Sequence, residues 1–174
     1  MRRFLQYGGL FILFWLLQTL IFERIQLGPF FSPCVYVLFI LLFPYGYNTL
    51  WLLLWSFAMG LGVDVFSAGA LGMHASAATC LALFRSGILK MVTTKGEVGH
   101  LATPGPLVLS TPWYLIYVVV SLLIHHAVLF GLENFHFNHL ALTIVRIAGS
   151  TLLNTLLISL IHITFLNQKR SSDA

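Results

Sequence analysis

The sequence has 174 residues, of which 59% are hydrophobic and only 8% are charged, and its mean hydropathy is +0.92. An ordinary soluble domain carries about 25% charged residues, so these values exclude a water-soluble globular protein. The formal net charge of +4 is not accompanied by a basic stripe with interleaved aromatic residues, and we therefore expect no nucleic-acid partner.

Long apolar runs separated by helix-breaking residues predict an all-α fold: a polytopic integral membrane helical bundle of about six transmembrane helices in a single membrane domain over residues 1–174. The predicted spans cover about residues 4–22, 30–43, 49–66, 70–84, 107–130 and 140–165, with a polar cytoplasmic loop over residues 85–106. The first run is interpreted as a retained span because Glu23 and Arg24 follow it where a cleaved signal would have small residues.

The second predicted span is shorter than the roughly 20 residues with which a helix crosses a bilayer. It is bracketed by Pro29 and Pro44 and contains Pro33. Because proline interrupts helical hydrogen bonding, this span is predicted to be tilted, distorted or only partly inserted.

Most basic residues fall on one predicted side of the membrane. If the N-terminus is cytoplasmic, seven of the nine are cytoplasmic, namely Arg2, Arg3, Arg85, Lys90, Lys95, Lys169 and Arg170. Only Arg24 falls in an external loop, and Arg146 lies inside the sixth span. Cytoplasmic flanks carry the excess of Lys and Arg, so we expect a multi-pass protein with both termini cytoplasmic.

Asp64 lies at the end of the third span, where a carboxylate near hydrocarbon costs about 2.5–3.5 kcal/mol if it is central. It either accepts hydrogen bonds from the hairpin backbone or from a partner chain, or it caps the start of the fourth helix. Around it lies a small-residue surface that either packs internally or receives a partner's helix. The residues of this partner-binding or hairpin-packing site are Gly60, Gly62, Asp64, Gly69, Gly72 and His74.

The sixth predicted span carries two adjoining polar ridges, because residues four apart lie on one side of a helix. The first ridge is Arg146, Ser150 and Asn154, and the second is Thr151, Thr155 and Ser159 with His162 beside it. These ridges can line a substrate cavity, contact another subunit or supply interhelical hydrogen bonds. Arg146 is predicted at a depth similar to that of Asp64, so we hypothesise an ion pair between them, the alternative being that Arg146 snorkels to the outer interface.

Titratable residues also gather near the external end of the fifth span, namely His125, His126, Glu133, His136 and His139. Their spacing matches no strong metal motif, and Phe135 and Phe137 suit an interfacial position. Cys34 and Cys80 lie in apolar stretches and are interpreted as buried small hydrophobic residues. We therefore expect no metal, no cofactor and, in the absence of any recognisable catalytic motif, no enzymatic activity.

The segment from residue 60 to residue 74 contains a Gly-Leu-x-x-Asp element, a serine and glycine separated by Ala68, and a Leu-Gly-x-His turn. In this arrangement the chain resembles the MreD family of rod shape-determining proteins, over roughly residues 28–85 and at the level of motifs. Ala68 departs from the family's adjacent Ser-Gly. The matching positions are Gly60, Leu61, Asp64, Ser67, Gly69, Leu71, Gly72 and His74.

The resemblance implies a non-enzymatic scaffold of the bacterial inner membrane, in the elongation machinery that organises lateral cell-wall synthesis. Such a scaffold would bind the single-span protein MreC and, through it, communicate with MreB and with the peptidoglycan polymerase and transpeptidase. Its other contacts would be with membrane lipid. On this hypothesis the small-residue hairpin contacts a partner helix.

The MreD family is also similar in helical architecture to the substrate-binding subunits of energy-coupling-factor vitamin transporters. Such a transporter subunit is therefore the alternative function. It predicts a closed polar pocket that opens externally and is lined by Arg146, Ser150, Asn154 and His125.

Overall fold

A computed structural model describes residues 2–25, 28, 30–67, 69–93, 102–134, 140–162 and 164. Helix α1 covers Arg2–Leu16 and continues through a π-helical turn, Leu17–Ile21, and a 3-10 turn, Phe22–Arg24. The other long helices are α3, Thr49–Phe66; α4, Met73–Val92; α6, Thr111–Glu133; and α7, Leu140–Ile161. Two short helices, α2, Val37–Leu41, and α5, Pro106–Leu109, complete the described part of the chain.

Five helices among the described residues are long and apolar enough to cross a membrane, in α1, α3, α4, α6 and α7. Large apolar side chains cover their outward faces: Leu152, Leu156 and Leu160 of α7 are each more than 60% exposed. Such a continuous apolar surface is incompatible with water and suits lipid. The membrane-protein prediction is confirmed at this level.

Of the predicted second span, residues 30–43, only Val37–Leu41 are helical, so it is not a continuous spanning helix, and the distortion predicted for it is present around Pro33. The chain instead crosses the interior of the bundle as a largely irregular segment, and we call residues 32–44 the crossing segment. Its residues from Cys34 to Leu42 are at most 8% exposed. Irregular backbone is tolerated at membrane depth when protein surrounds it and satisfies its polar groups.

The crossing segment runs antiparallel to α1. Gln18, near the end of α1, accepts a hydrogen bond from the Val35 N–H at 2.9 Å, whereas Tyr7, near its start, stacks on Phe43 with ring centroids 4.6 Å apart. The segment therefore carries the chain from one end of the bundle to the other, although it is not a spanning helix.

Contacts between chain ends define what we call the terminal end of the bundle. There the Tyr45 N–H donates to the Ala102 carbonyl at 3.1 Å, and Tyr7 packs edge-on against Tyr47. The rings of Tyr114, early in α6, and His162, after α7, lie 4.9 Å apart. The start of α1 and the end of α7 thus lie at the same end of the protein. The opposite end, with the α3–α4 link, is called the cavity end.

Helix α4 is longer than predicted, and this corrects both the span over residues 70–84 and the loop over residues 85–106. The helix begins at Met73 and continues to Val92. Arg85, which the sequence suggests as the start of the loop, is only 2% exposed in the protein interior. A charged residue ended the apolar run in the sequence, but its hydrogen bonds to interior acceptors allow the helix to continue.

Local signals explain several helix ends. Asn48 precedes α3, and its side-chain oxygen accepts from the Leu50 N–H at 2.9 Å, as an N-cap residue does. Pro112 lies in the first turn of α6, where its missing N–H costs no intrahelical hydrogen bond. Gly72 precedes α4 with φ 96°, a left-handed conformation that favours glycine.

Candidate functional site

The Asp64 carboxylate joins the end of α3 to the start of α4. Its Oδ2 accepts from the backbone N–H groups of Gly72 and Ala75, both at 3.0 Å. Its Oδ1 accepts from the His74 backbone N–H at 2.9 Å and lies 2.9 Å from His74 Nδ1. The carboxylate therefore caps α4 from a neighbouring helix, which combines the two roles that the sequence suggests. We call this arrangement the Asp64 clasp.

The burial of Asp64 shows that the clasp faces the interior of the protein. The Asp64 side chain is fully buried, while that of His74 is 13% exposed. Both carboxylate oxygens are occupied by donors of the same chain, so the carboxylate has no exposed surface to offer a partner helix. Its charge-assisted hydrogen bonds compensate the cost of placing an acid at membrane depth.

Gly60 permits the close approach of α3 and α4. A Cβ atom at this position would lie 2.5 Å from both the Ala75 Cα and the His74 carbonyl oxygen, a distance that only a backbone shift can relieve. At Gly62 the same atom would meet the Trp15 ring of α1 at 2.7 Å, and at Gly69 it would meet the end of Met73 at 2.7 Å. The contacts of Gly60 and Gly62 are those of packing within the protein.

The hypothesised ion pair between Asp64 and Arg146 is wrong. Asp64 pairs with His74, whereas the Arg146 guanidinium lies 3.0 Å from the Glu133 carboxylate. Arg146 also sits over the Phe130 ring, 4.5 Å from its centroid, a favourable cation–π geometry. Both residues were predicted at a similar depth, but Glu133 at the end of α6 is the acid that Arg146 contacts.

The first polar ridge of α7 holds the beginning of the crossing segment. Asn154 Oδ1 accepts from the Cys34 N–H at 2.6 Å, and its amide nitrogen donates to the Ser32 carbonyl at 2.8 Å. Ser150 Oγ accepts from the Ser32 N–H at 3.0 Å. These side chains take the place of the hydrogen bonds that a helix would make for itself.

The second ridge makes contacts with α6 and within α7. Thr151 Oγ1 lies 3.1 Å from His126 Nδ1, while Thr155 donates back to the Thr151 carbonyl of its own helix. Ser159 Oγ is buried without a hydrogen-bond partner. His162 packs at the terminal end, on the Tyr114 ring. The first ridge thus holds the crossing segment, while the second ridge contacts α6 through Thr151 and His162.

Gln18, which the sequence analysis did not single out, is the counterpart of Asn154 on the other side of the crossing segment. Its Nε2 donates to the Pro33 carbonyl at 2.8 Å and its Oε1 accepts from the Val35 N–H. Gln18 is 1% exposed and lies in the π-helical turn of α1. Such local irregularities within helices often occur at functional positions, and the signal in the sequence was a lone amide within an apolar run.

Arg85 secures the far end of the crossing segment. Its guanidinium donates to the Phe43 carbonyl, to the Leu41 carbonyl at 3.3 Å and to the Tyr117 hydroxyl at 2.9 Å. The orphan carbonyls at the end of α2 are thereby satisfied by a cation.

A cavity of about 520 Å³ opens at the cavity end of the bundle. Its lining includes ionisable or amide side chains from the two turns after α1 and from α4, α6 and α7, namely Gln18, Glu23, His74, Glu133 and Arg146. Of the four residues expected to line an external pocket, Arg146 does so, whereas Ser150, Asn154 and His125 do not. They are buried with relative exposures of 0%.

His125 and His126 are buried in the bundle, which corrects the interfacial position expected for them. Each is 0% exposed, and Tyr36 Oη lies 2.6 Å from His125 Nε2. The remaining histidines of that predicted group, His136 and His139, lie outside the described residues.

Comparison of the chain with protein-family models, with curated proteins and with solved structures finds no match.

Proposed function

We propose that this chain is a non-enzymatic membrane scaffold subunit of the bacterial cell-shape and lateral cell-wall elongation complex, of the MreD type. It binds MreC and, through it, communicates with MreB and the peptidoglycan polymerase and transpeptidase. It lies in the inner membrane with both termini cytoplasmic.

The observation that carries the proposal is the Asp64 clasp. The motif residues on which the resemblance rests are engaged with one another: Asp64 binds the Gly72 and His74 N–H groups, and Gly60 permits the contact with α4. They therefore fix the geometry of a hairpin. A hairpin fixed in this way suits a platform for other helices.

The orientation in the proposal rests on charge. Lys90 is exposed near the end of α4, at the terminal end where α1 begins with Arg2 and Arg3. At the cavity end the basic residues Arg24 and Arg146 are balanced by the acids Glu23 and Glu133. This asymmetry fits a terminal end that faces the cytoplasm.

The test is purification of the tagged full-length chain from its native membrane in mild detergent, with co-purifying proteins identified by mass spectrometry. Gly60→Leu, which forces α3 and α4 apart, is compared with Gly87→Leu, where no atom lies within 4 Å of the added Cβ. Recovery of MreC and wall-synthesis proteins with the wild type and Gly87→Leu, but not with Gly60→Leu, is expected. Recovery of none of them with the wild type would contradict the proposal.

The cavity supports a second candidate, a substrate-binding subunit of an energy-coupling-factor vitamin transporter. Its volume of about 520 Å³ lies in the range of small-molecule pockets, and it opens at the end proposed to be external. Co-purification of a pair of ATPases with a coupling subunit would favour this candidate over the scaffold. The transporter hypothesis gives the Asp64 clasp no role in binding MreC. On that hypothesis MreC does not co-purify with the wild type, and Gly60→Leu therefore removes none.

A further inference from the structure

Three metal-ligating side chains from distant parts of the sequence meet in the interior of the bundle. The Cys34 thiol and one ring nitrogen each of His125 and His126 lie within 4.8 Å of one another. Their residues are 2%, 0% and 0% exposed. The sequence pattern could not show this cluster, because Cys34 comes from the crossing segment and the histidines come from α6.

His125 presents a ring nitrogen with nothing to bind. Its Nε2 lies 2.6 Å from Tyr36 Oη, whereas its Nδ1 is buried without a hydrogen-bond partner. Buried polar atoms are normally satisfied, and an exception requires an explanation such as a missing ion. If the Nε2–H donates to Tyr36 Oη, Nδ1 carries the lone pair that a metal needs.

His126 has an equally suitable tautomer. Its Nδ1 lies 3.1 Å from the Thr151 hydroxyl, to which an Nδ1–H can donate. Its Nε2 lies 3.3 Å from the Asn154 amide nitrogen, whose two hydrogens already have carbonyl acceptors at 2.8 Å on Ser32 and Ser150. The Nε2 atom of His126 can therefore coordinate a metal, and both hydrogens of the Asn154 amide still keep their carbonyl acceptors.

We propose that Cys34, His125 and His126 bind one Cu⁺ ion. Soft thiolate ligands select Cu⁺ or Zn²⁺ among the common metals, and imidazole suits both copper and zinc. On binding, the thiol proton passes to water in the neighbouring cavity and a sulfur–copper bond forms. One thiolate and two neutral imidazoles then leave the Cu⁺ site uncharged, whereas Zn²⁺ would leave a net charge of +1 in a medium where unpaired charge is costly.

The distances allow such a site. Ligand atoms about 2.0–2.3 Å from one metal lie about 3.5–4 Å apart in a trigonal arrangement. Atoms at most 4.8 Å apart need to move inward by about 1 Å or less, which side-chain rotation can supply. Trigonal coordination by two histidines and one cysteine is a known arrangement for copper.

The cavity gives the ion a path. Cys34 is among its lining residues, while the carboxylates of Glu23 and Glu133 lie on the same lining. A cation entering at the cavity end meets a lining that holds Glu23, the Glu133–Arg146 ion pair and Cys34, the one residue of the proposed copper site that lines this cavity. The inference is independent of the proposed function, since it concerns the interior of the bundle and not the partner of the hairpin.

The test uses the purified full-length protein in detergent. It is incubated with Cu⁺ under ascorbate and desalted in the presence of the competing chelator bathocuproine disulfonate, and the bound metal is counted by plasma mass spectrometry. The wild type and Cys80→Ser are expected to retain one copper per chain. Cys34→Ser is expected to retain none, and Tyr36→Phe, which loses the orienting partner of His125, is expected to bind about 10–100-fold more weakly.

A second measurement needs no variant and so does not depend on how a variant folds. In the wild type, Cu⁺ should slow maleimide labelling of Cys34 and leave the labelling of Cys80 unchanged, with each site read by peptide mass spectrometry. Absence of retained copper in the wild type, or equal retention in Cys34→Ser, would overturn the proposal. Retention of Zn²⁺ but not Cu⁺ in a parallel incubation would overturn the copper assignment.

Discussion

Arg85 of α4 donates a hydrogen bond from its guanidinium to the carbonyl oxygen of Phe43, a residue 42 positions earlier in the chain. The buried guanidinium thus binds the backbone of the crossing segment just after the end of α2, where the chain is no longer helical. Gln18 and Asn154 do the same at the other end of the crossing segment. The protein therefore stabilises a crossing that is only partly helical by polar side chains from three other parts of the chain.

The Arg85 contacts predict that even a conservative substitution is costly. Arg85→Lys keeps the charge but loses the planar fork that reaches the Leu41 and Phe43 carbonyls and the Tyr117 hydroxyl. We expect the free energy of unfolding to fall by about 1.5–3 kcal/mol, the scale of one hydrogen bond to a charged group. Unfolding in SDS titrations measures this, with Lys90→Met, an exposed position on the same helix, as the control. An equal effect of the two substitutions would show that Arg85 does not hold the segment.

The Gln18 amide predicts a similar loss at the opposite end. Gln18→Met keeps the length of the side chain but leaves the Val35 N–H and the Pro33 carbonyl without partners. The expected loss is about 1–3 kcal/mol per unsatisfied group. The matched control is Gln6→Met, since Gln6 is exposed on the same helix. Thermal unfolding in detergent, monitored by size-exclusion chromatography, is expected to give a lower midpoint temperature for Gln18→Met than for Gln6→Met. Coincident unfolding curves would show that the Gln18 hydrogen bonds do not stabilise the protein.

The clasp predicts that Asp64→Asn destabilises the hairpin although the shape is kept. One carboxylate oxygen becomes an NH₂ group, and either choice places donor against donor, at Gly72 and Ala75 or at His74. We expect a loss of about 1–3 kcal/mol. Ser67→Ala, which removes only a local 3.2 Å bond to the Asp64 carbonyl, should cost much less. Hydrogen exchange of the amides at residues 72–75 gives the direct measurement, and unchanged protection in Asp64→Asn would contradict the role of the carboxylate.

The close approach at Gly60 predicts opposite signs for two glycine-to-alanine substitutions. Gly60→Ala places a methyl group against the α4 backbone and should cost about 1–3 kcal/mol, as overpacking does. Gly87→Ala meets no atom within 4 Å and should be neutral or stabilise by about 0.5–1 kcal/mol, because glycine is unfavourable within a helix. The same SDS titration checks both, and a stabilising Gly60→Ala would rule out the tight contact.

The long apolar helices could be predicted from the sequence, because twenty or so apolar residues in a row leave few alternatives to a membrane span. The hairpin residues could be singled out for a similar reason, since an acid and several glycines in an apolar run need an explanation. Hydropathy could not reveal that Arg85 lies inside a helix, because a buried arginine and one at a helix end look alike in a sequence. The partners of Arg146, and the meeting of Cys34 with His125 and His126, depend on contacts between helices far apart in the chain.

The crossing segment has a consequence for biogenesis. While the nascent chain is being inserted, residues 32–36 are not expected to enter lipid as an independent unit, because their irregular backbone would carry unsatisfied N–H and C=O groups into hydrocarbon. Gln18 has already been synthesised when this segment emerges, but Arg85 and Asn154 have not. We therefore expect the segment to stay near the insertase until Arg85 of α4 and Asn154 of α7 have been made and can bind its backbone.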